Sequence, residues 1–85
     1  MRRTGERTES VLMEILSKNL LELRKNKGLT RQAVADAIQI SVRTYQRYEN
    51  CEREPTALVL AALADFYDVS IDYLMGRTDR REDGR

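Results

Sequence analysis

Histidine and tryptophan are absent from this 85-residue chain, cysteine and proline occur once each, and glycine four times. Each shortage removes a class of chemistry. With no His and a lone Cys51, neither a Cys/His metal site nor His-based acid–base catalysis can be assembled. The single thiol also excludes an internal disulfide, which fits a reducing cytoplasmic setting. The longest apolar run, Ala57 to Ala64, covers eight residues, far below the roughly 20 that cross a bilayer. The arginines of the first ten residues have no apolar stretch behind them, so no secretory signal and no membrane span are expected. A glycine-rich phosphate loop and clustered carboxylates at metal-binding spacing are missing as well. Asp65, Asp68 and Asp72 read as solvated helix surface, and no catalytic residue, metal or cofactor is assigned. An enzyme is not expected.

What is present suits a small helical bundle. The chain is 41% hydrophobic and 34% charged, with few helix breakers, which argues against disorder. A domain of this size has too little interior for a roomy pocket, so its working surface should be external. The net charge of +1 conceals an asymmetry. Residues 24–53 hold seven basic and three acidic side chains, whereas residues 54–85 hold four and seven. Such a split suits one face turned toward a polyanion, although an ordinary solvated helix surface carries mixed charge too.

Apolar periodicity divides the chain into helices. Leu12, Ile15, Leu16, Leu20 and Leu23 recur every three or four residues and predict a helix from about Ser10 to Asn26, capped by Ser10 or Thr8 and stopped by Gly28. Thr30 can cap a second, short helix with Val34, Ala35 and Ile38 on its apolar stripe. Gln39 to Ser41 separate it from a third, Val42 to Asn50, capped by Ser41. Thr56 can start a fourth helix running through Tyr67, and Ser70 a fifth from Ile71 to Met75 that stops at Gly76. No strand pattern is seen. Residues 1–9 read as a flexible arm, 10–76 as the domain, and 77–85 as a loose charged tail.

Two short helices across a tight connection form a helix-turn-helix, here about 31–50, whose second helix is built to enter a DNA major groove. At 100° per residue, Tyr45 and Tyr48 share one side of that helix while Arg43, Gln46, Arg47 and Asn50 crowd the other. Arg can pair with guanine O6 and N7, Gln with adenine N6 and N7, and Val42 can touch a thymine methyl. Arg and Gln are also common on plain solvated helices, so the pattern alone leaves that alternative open.

The segments "LRKNKGLTRQAVADAIQISVRTYQRYENCEREP" and "LAALADFYDVSIDYLMGRTD" closely resemble the Xre-type helix-turn-helix family, which includes the lambda and Cro-like phage repressors. The likeness covers roughly Leu16 to Asp79. It implies an all-α, five-helix, lambda repressor-like domain that binds double-stranded operator DNA, usually palindromic and usually as a homodimer, to regulate and most often repress transcription. It further implies base reading by Val42, Arg43, Gln46 and Arg47. Phosphate contacts fall on Thr30, Arg31, Ser41, Thr44 and Asn50, with Gln32 as a helper, and an internal ion pair on Arg24 and Glu49. An antitoxin or protein-interaction module on the same fold is the alternative. Gln39 and Cys51 stand where the family often has Gly, and Tyr45 replaces an aliphatic residue, so its hydroxyl needs a partner. Ile71, Tyr73 and Met75 are candidates for a dimer contact, unless they only close the core.

Overall fold

The computed structural model describes residues 4–81; residues 1–3 of the expected arm and 82–85 of the expected tail lie outside the described residues. Among the described residues the chain is all-helical: α1 (Thr4–Asn26), α2 (Arg31–Ala37), α3 (Val42–Glu49), α4 (Ala57–Tyr67) and α5 (Ile71–Leu74). Among the described residues no helix is long and apolar enough to cross a membrane. The expected boundaries hold within a residue or so except at the start of α1. That helix begins at Thr4, so the anticipated caps at Thr8 and Ser10 fall inside it. Extending a helix costs far less than nucleating one, so a helix pinned by core packing from Leu16 onward runs backward where no proline stops it.

The remaining helices share one grammar. Thr30, Ser41, Thr56 and Ser70 each sit in extended conformation ahead of α2, α3, α4 and α5, and each side-chain oxygen accepts the amide three residues on. The helix ends also repeat, each closing with a left-handed residue. After α1, α2, α3 and α5 that residue is Gly28, Gln39, Cys51 or Gly76, and after α4 it is Asp68. The amide of the following residue reaches back to a carbonyl five positions earlier: Leu29 to Arg24, Ile40 to Ala35, Glu52 to Arg47, Val69 to Ala64 and Arg77 to Asp72. Leu29 and Ile40 then pack against the core, and Val69 is part of it. The connection between α2 and α3 is therefore a helix end joined directly to a helix cap, which fixes the angle at which α3 leaves. Gly76 is needed for a second reason: a Cβ there would lie 2.7 Å from Ile15 Cγ2 on α1.

The core comprises Leu16, Leu20 and Leu23 from α1, Val34 and Ala35 from α2, Tyr45 and Tyr48 from α3, Leu63, Ala64 and Tyr67 from α4, and Val69 and Leu74 around α5. Helix α3 packs on α1 and α2, and α5 packs on α1 and α4. Polar side chains of α1 secure both neighbours. Ser17 Oγ donates to the Tyr48 carbonyl, and Asn19 Nδ2 donates to the carbonyls of Tyr73 and Leu74 at the end of α5. The Tyr45 hydroxyl finds its partner in the Tyr67 hydroxyl, 2.9 Å away in the fully buried interior. Residue 81, the last one described, lies against the domain. The Ser70 amide donates to the Arg81 carbonyl at 2.6 Å, and the Arg81 guanidinium lies 5.6 Å from the centre of the Tyr73 ring. An aromatic face gives a charged tail something to hold.

Two stability outcomes are expected from this architecture. Tyr45→Phe strands the buried Tyr67 hydroxyl and should cost about 1–3 kcal/mol in urea unfolding. Adding Tyr67→Phe should cost less than the sum of the two single losses; full additivity would show that the hydroxyls act separately. Gln39, at φ 63°, carries the steric penalty of a left-handed L-residue, so Gln39→Gly should stabilise by about 0.5–1 kcal/mol after the added entropy of the unfolded chain. A destabilised glycine variant would mean that the Gln39 side chain contributes more than its backbone costs.

Candidate nucleic-acid interface

Helix α3 is eight residues long, too short to hold its shape alone. Its geometry comes from Tyr45, Tyr48 and Glu49, which are buried, and from Val42, which is half-buried against the same core. With one side so committed, the other is determined. Arg43, Gln46 and Asn50 are exposed and Arg47 is half-buried, and together they form an outward ridge of multi-donor side chains. Asn50 ends the helix as its cap and Val42 divides its surface between core and ridge.

The residues expected to grip a backbone occupy the caps and the ends of the two helices. Thr30 Oγ1 accepts the Ala33 amide at 3.0 Å, and Ser41 Oγ accepts the Thr44 amide at 3.0 Å while donating to Thr44 Oγ1 at 2.9 Å. In that arrangement the Thr44 hydroxyl proton is left to donate outward. Gln32 is instead turned along its own helix, with Nε2 donating to Asp36 Oδ1 at 2.8 Å. Thr30, Arg31, Gln32, Ser41 and Asn50 are exposed and Thr44 is half-buried.

Behind the ridge lies a buried carboxylate. Glu49 accepts from Arg24 twice, Nε to Oε2 at 2.7 Å and Nη2 to Oε1 at 3.2 Å, and Arg24 Nη1 also donates to the Leu29 carbonyl at 2.9 Å. The expected pair is thus present. A second cation was not anticipated: Arg31 Nε donates to Glu49 Oε1 at 3.0 Å. The Glu49 side chain is 1% exposed, that of Arg24 10% and that of Arg31 43%. Burial alone would push the Glu49 carboxyl up. Hydrogen bonds from Arg24 and the Tyr45 hydroxyl, with the charges of both arginines, reverse this and hold it below the usual carboxylate range. Burial, the bond to Tyr67 and the nearby carboxylate push the Tyr45 hydroxyl far up, so it stays protonated and able to donate. The Tyr45–Tyr67 bond ties α3 to α4 and the Arg24–Glu49–Arg31 bridge ties α3 to α1 and α2, and two guanidiniums on one carboxylate leave a net positive charge at the junction. The 18-residue spacing of Arg31 and Glu49 has no local sequence signature, which is why the contact was missed.

A family model described as helix-turn-helix matches residues 20–74. The chain is 41% identical over 63 residues to the HTH-type transcriptional regulator AnsR of Bacillus subtilis, covering 74% of this chain and 54% of that protein. It is 34% identical over 64 residues to the HTH-type transcriptional regulator ImmR of the same organism, covering 75% and 50%. It is 37% identical over 70 residues to the cryptic phage CTXphi transcriptional repressor RstR of Vibrio cholerae, covering 80% and 62%. The chain spans about half the length of the curated relatives it matches. No solved structure matches it.

Neutralising the buried carboxylate should be costly, and in a pH-dependent way. Glu49→Gln leaves Arg24 without its counter-charge and should cost about 3–5 kcal/mol at neutral pH. A carboxyl whose folded value is depressed adds stability that is fully present above its unfolded value, 4.5, and lost as pH falls through the folded value. The gap in unfolding free energy between wild type and Glu49→Gln should therefore narrow progressively below about pH 4.5, the other carboxyls cancelling in the difference. A gap that stays constant into acid would show that the Glu49 charge does not stabilise the fold.

Proposed function

The chain belongs to the helix-turn-helix family, in its Xre or lambda repressor-like branch, and on that premise we propose that it binds double-stranded DNA sequence-specifically as a transcriptional regulator acting in the cytoplasm, with α3 in the major groove. The observation that carries this reading is the outward ridge of Arg43, Gln46, Arg47 and Asn50, set by the burial of Tyr45, Tyr48 and Glu49 behind it. A helix serving a protein partner would more often present aromatic or aliphatic anchors on that face. The Thr44 hydroxyl, whose proton the Ser41 cap leaves free, and the side chains of Arg31 and Asn50 supply the backbone contacts that fix register, while the ridge reads bases. Repression is the favoured sign of regulation, since a domain seated on an operator blocks access to it, and one relative bears the name of a phage transcriptional repressor.

One such helix reads too few base pairs for useful specificity, so the protein acts as a homodimer on a palindromic operator. Of the three side chains considered for the contact, Ile71 is 40% exposed, whereas Tyr73 and Met75 pack against the core. Leu58 on α4, at 84% exposure, is the more prominent apolar group, and it joins Ile71 as a candidate for the dimer surface.

Arg47 is the leading base reader. It is half-buried where Arg43 and Gln46 are exposed, so less freedom is lost when its guanidinium fork engages guanine. Selection of bound sites from random duplexes should return a two-fold sequence with half-sites about 10–10.5 base pairs apart. In a base-by-base affinity scan of that site at fixed salt, Arg47→Ala should lose about 1–3 kcal/mol concentrated at one base pair per half-site. Arg47→Lys should restore little of it. Recovery of no preferred sequence would overturn specific binding, an unrepeated site would overturn the dimer, and a loss spread evenly over all base pairs would move the reading role to Arg43 and Gln46.

A further inference from the structure

Glu49 holds one more cation than its charge requires. Arg24 already engages both carboxylate oxygens, through Nε and Nη2, and is 10% exposed. Arg31 adds a third contact through Nε alone and keeps 43% of its side chain in solvent. An arginine presents five N–H donors in a rigid plane, so anchoring at Nε orients the plane while leaving the four N–H of the terminal nitrogens for another acceptor. Glu49 immediately precedes Asn50 at the end of α3, so this bond draws the first side chain of α2 to the C-terminal end of the outward ridge. A merely decorative surface arginine would sample many rotamers there.

We propose that Glu49, though buried and unable to touch a ligand, is a positioning residue for DNA: through its bond to Nε it presents the terminal nitrogens of Arg31 to a backbone phosphate. The inference rests on the DNA-binding reading above and deepens it. Arg24 grips both carboxylate oxygens from α1 and is itself tied to the Leu29 carbonyl, and the Glu49 side chain is 1% exposed. The carboxylate is therefore a rigid post rather than a swinging side chain. The contribution to binding is pre-organisation: the guanidinium is ordered before the phosphate arrives, so association does not bear that entropy loss. The phosphate contact carries no base preference, so its loss weakens all duplexes alike.

The test compares wild type, Arg31→Gln, Arg31→Lys, Glu49→Gln and the Arg31→Gln/Glu49→Gln double variant, all verified as folded by circular dichroism. Each is titrated with a selected duplex and a scrambled one over a range of salt. Arg31→Gln should reduce the steepness of log K against log salt by about 0.9, the value of one lost phosphate contact. Glu49→Gln gives the decisive sign. If Glu49 acted only as a negative charge, neutralising it would tighten binding to a polyanion; as a positioning residue, its loss should weaken both duplexes about 3- to 10-fold. In the Arg31→Gln background the same change should have no such effect. Arg31→Lys keeps the charge with a single nitrogen, which cannot hold Glu49 and a phosphate in the two places at once, and should bind nearly as weakly as Arg31→Gln. That variant carries the test alone if Glu49→Gln does not fold. Tighter binding by Glu49→Gln, wild-type binding by Arg31→Lys, or an unchanged salt slope in Arg31→Gln overturns the proposal while leaving DNA binding intact. A wild type that binds neither duplex removes the functional reading, and the proposal with it.

Discussion

Everything in this small domain is arranged around one carboxylate that must stay charged in a place with little water. Glu49 at 1% side-chain exposure is tolerable only because two guanidiniums from two directions donate to it, Arg24 from α1 and Arg31 from α2. An ion taken out of water loses several kcal/mol of hydration, which excellent geometry must offset. The surroundings of the carboxylate are themselves constrained. Arg24 also caps the turn after α1 through the Leu29 carbonyl, and Tyr45 is wedged at 0% exposure against Tyr67. Among the described residues no buried side-chain nitrogen or oxygen lacks a partner. The polar network is complete, and a complete network specifies one arrangement where an apolar core of the same volume would tolerate several.

The helix ends extend the same economy. Helices of seven, eight and four residues cannot persist by propensity. They exist because a hydroxyl cap starts each and a left-handed residue ends each, so most backbone groups at the termini find partners without a long intervening helix. Three of these left-handed positions are filled by Gln39, Cys51 and Asp68 rather than glycine. Asp tolerates the conformation comparatively well; Gln and Cys do so at a steric cost. Those costs are borne in the two turns that flank the outward ridge. The helix-ending bonds from Ile40 to Ala35 and from Glu52 to Arg47 are nevertheless made at 3.0 and 2.8 Å, so the turn geometry is retained against the local preference of the chain.

Most of the fold was legible in the sequence because it is written locally. Caps lie three residues from the amides they serve, apolar stripes repeat every three or four residues, and glycine marks the ends of α1 and α5. The division of α3 into a tyrosine side and a polar side follows from the helical period alone, as does the outward placement of Arg43, Gln46 and Asn50. What was not legible depends on contacts across the chain. The Tyr45–Tyr67 hydroxyl pair spans 22 residues and the Arg31–Glu49 bond 18, and no periodicity encodes either. The partial burial of Tyr73 and Met75 is of the same kind: a four-residue helix shows no stripe long enough to separate its core side from its open side. The early start of α1 and the return of the tail to Ser70 and Tyr73 went unseen for a related reason, since charged residues without apolar anchors look alike whether packed or loose.

The physical link between core and surface is therefore shorter than the chain suggests. Arg47 and Asn50 lie on the turn of α3 that also carries Tyr48 and Glu49, so a rotation of that turn moves the outward donors and the buried anchors together. A rotation of about 20° about the helix axis would carry a guanidinium sideways along its arc, by roughly 3 Å for a side chain extending about 8 Å from the axis. Such a shift exceeds the tolerance of a hydrogen bond. The same rotation would pull Glu49 away from Arg24 at 2.7 Å and Tyr45 away from Tyr67 at 2.9 Å, and is resisted for that reason. A surface helix of eight residues thus acquires the angular precision of the core without being long, because the bonds that satisfy its buried side are the ones that aim its exposed side.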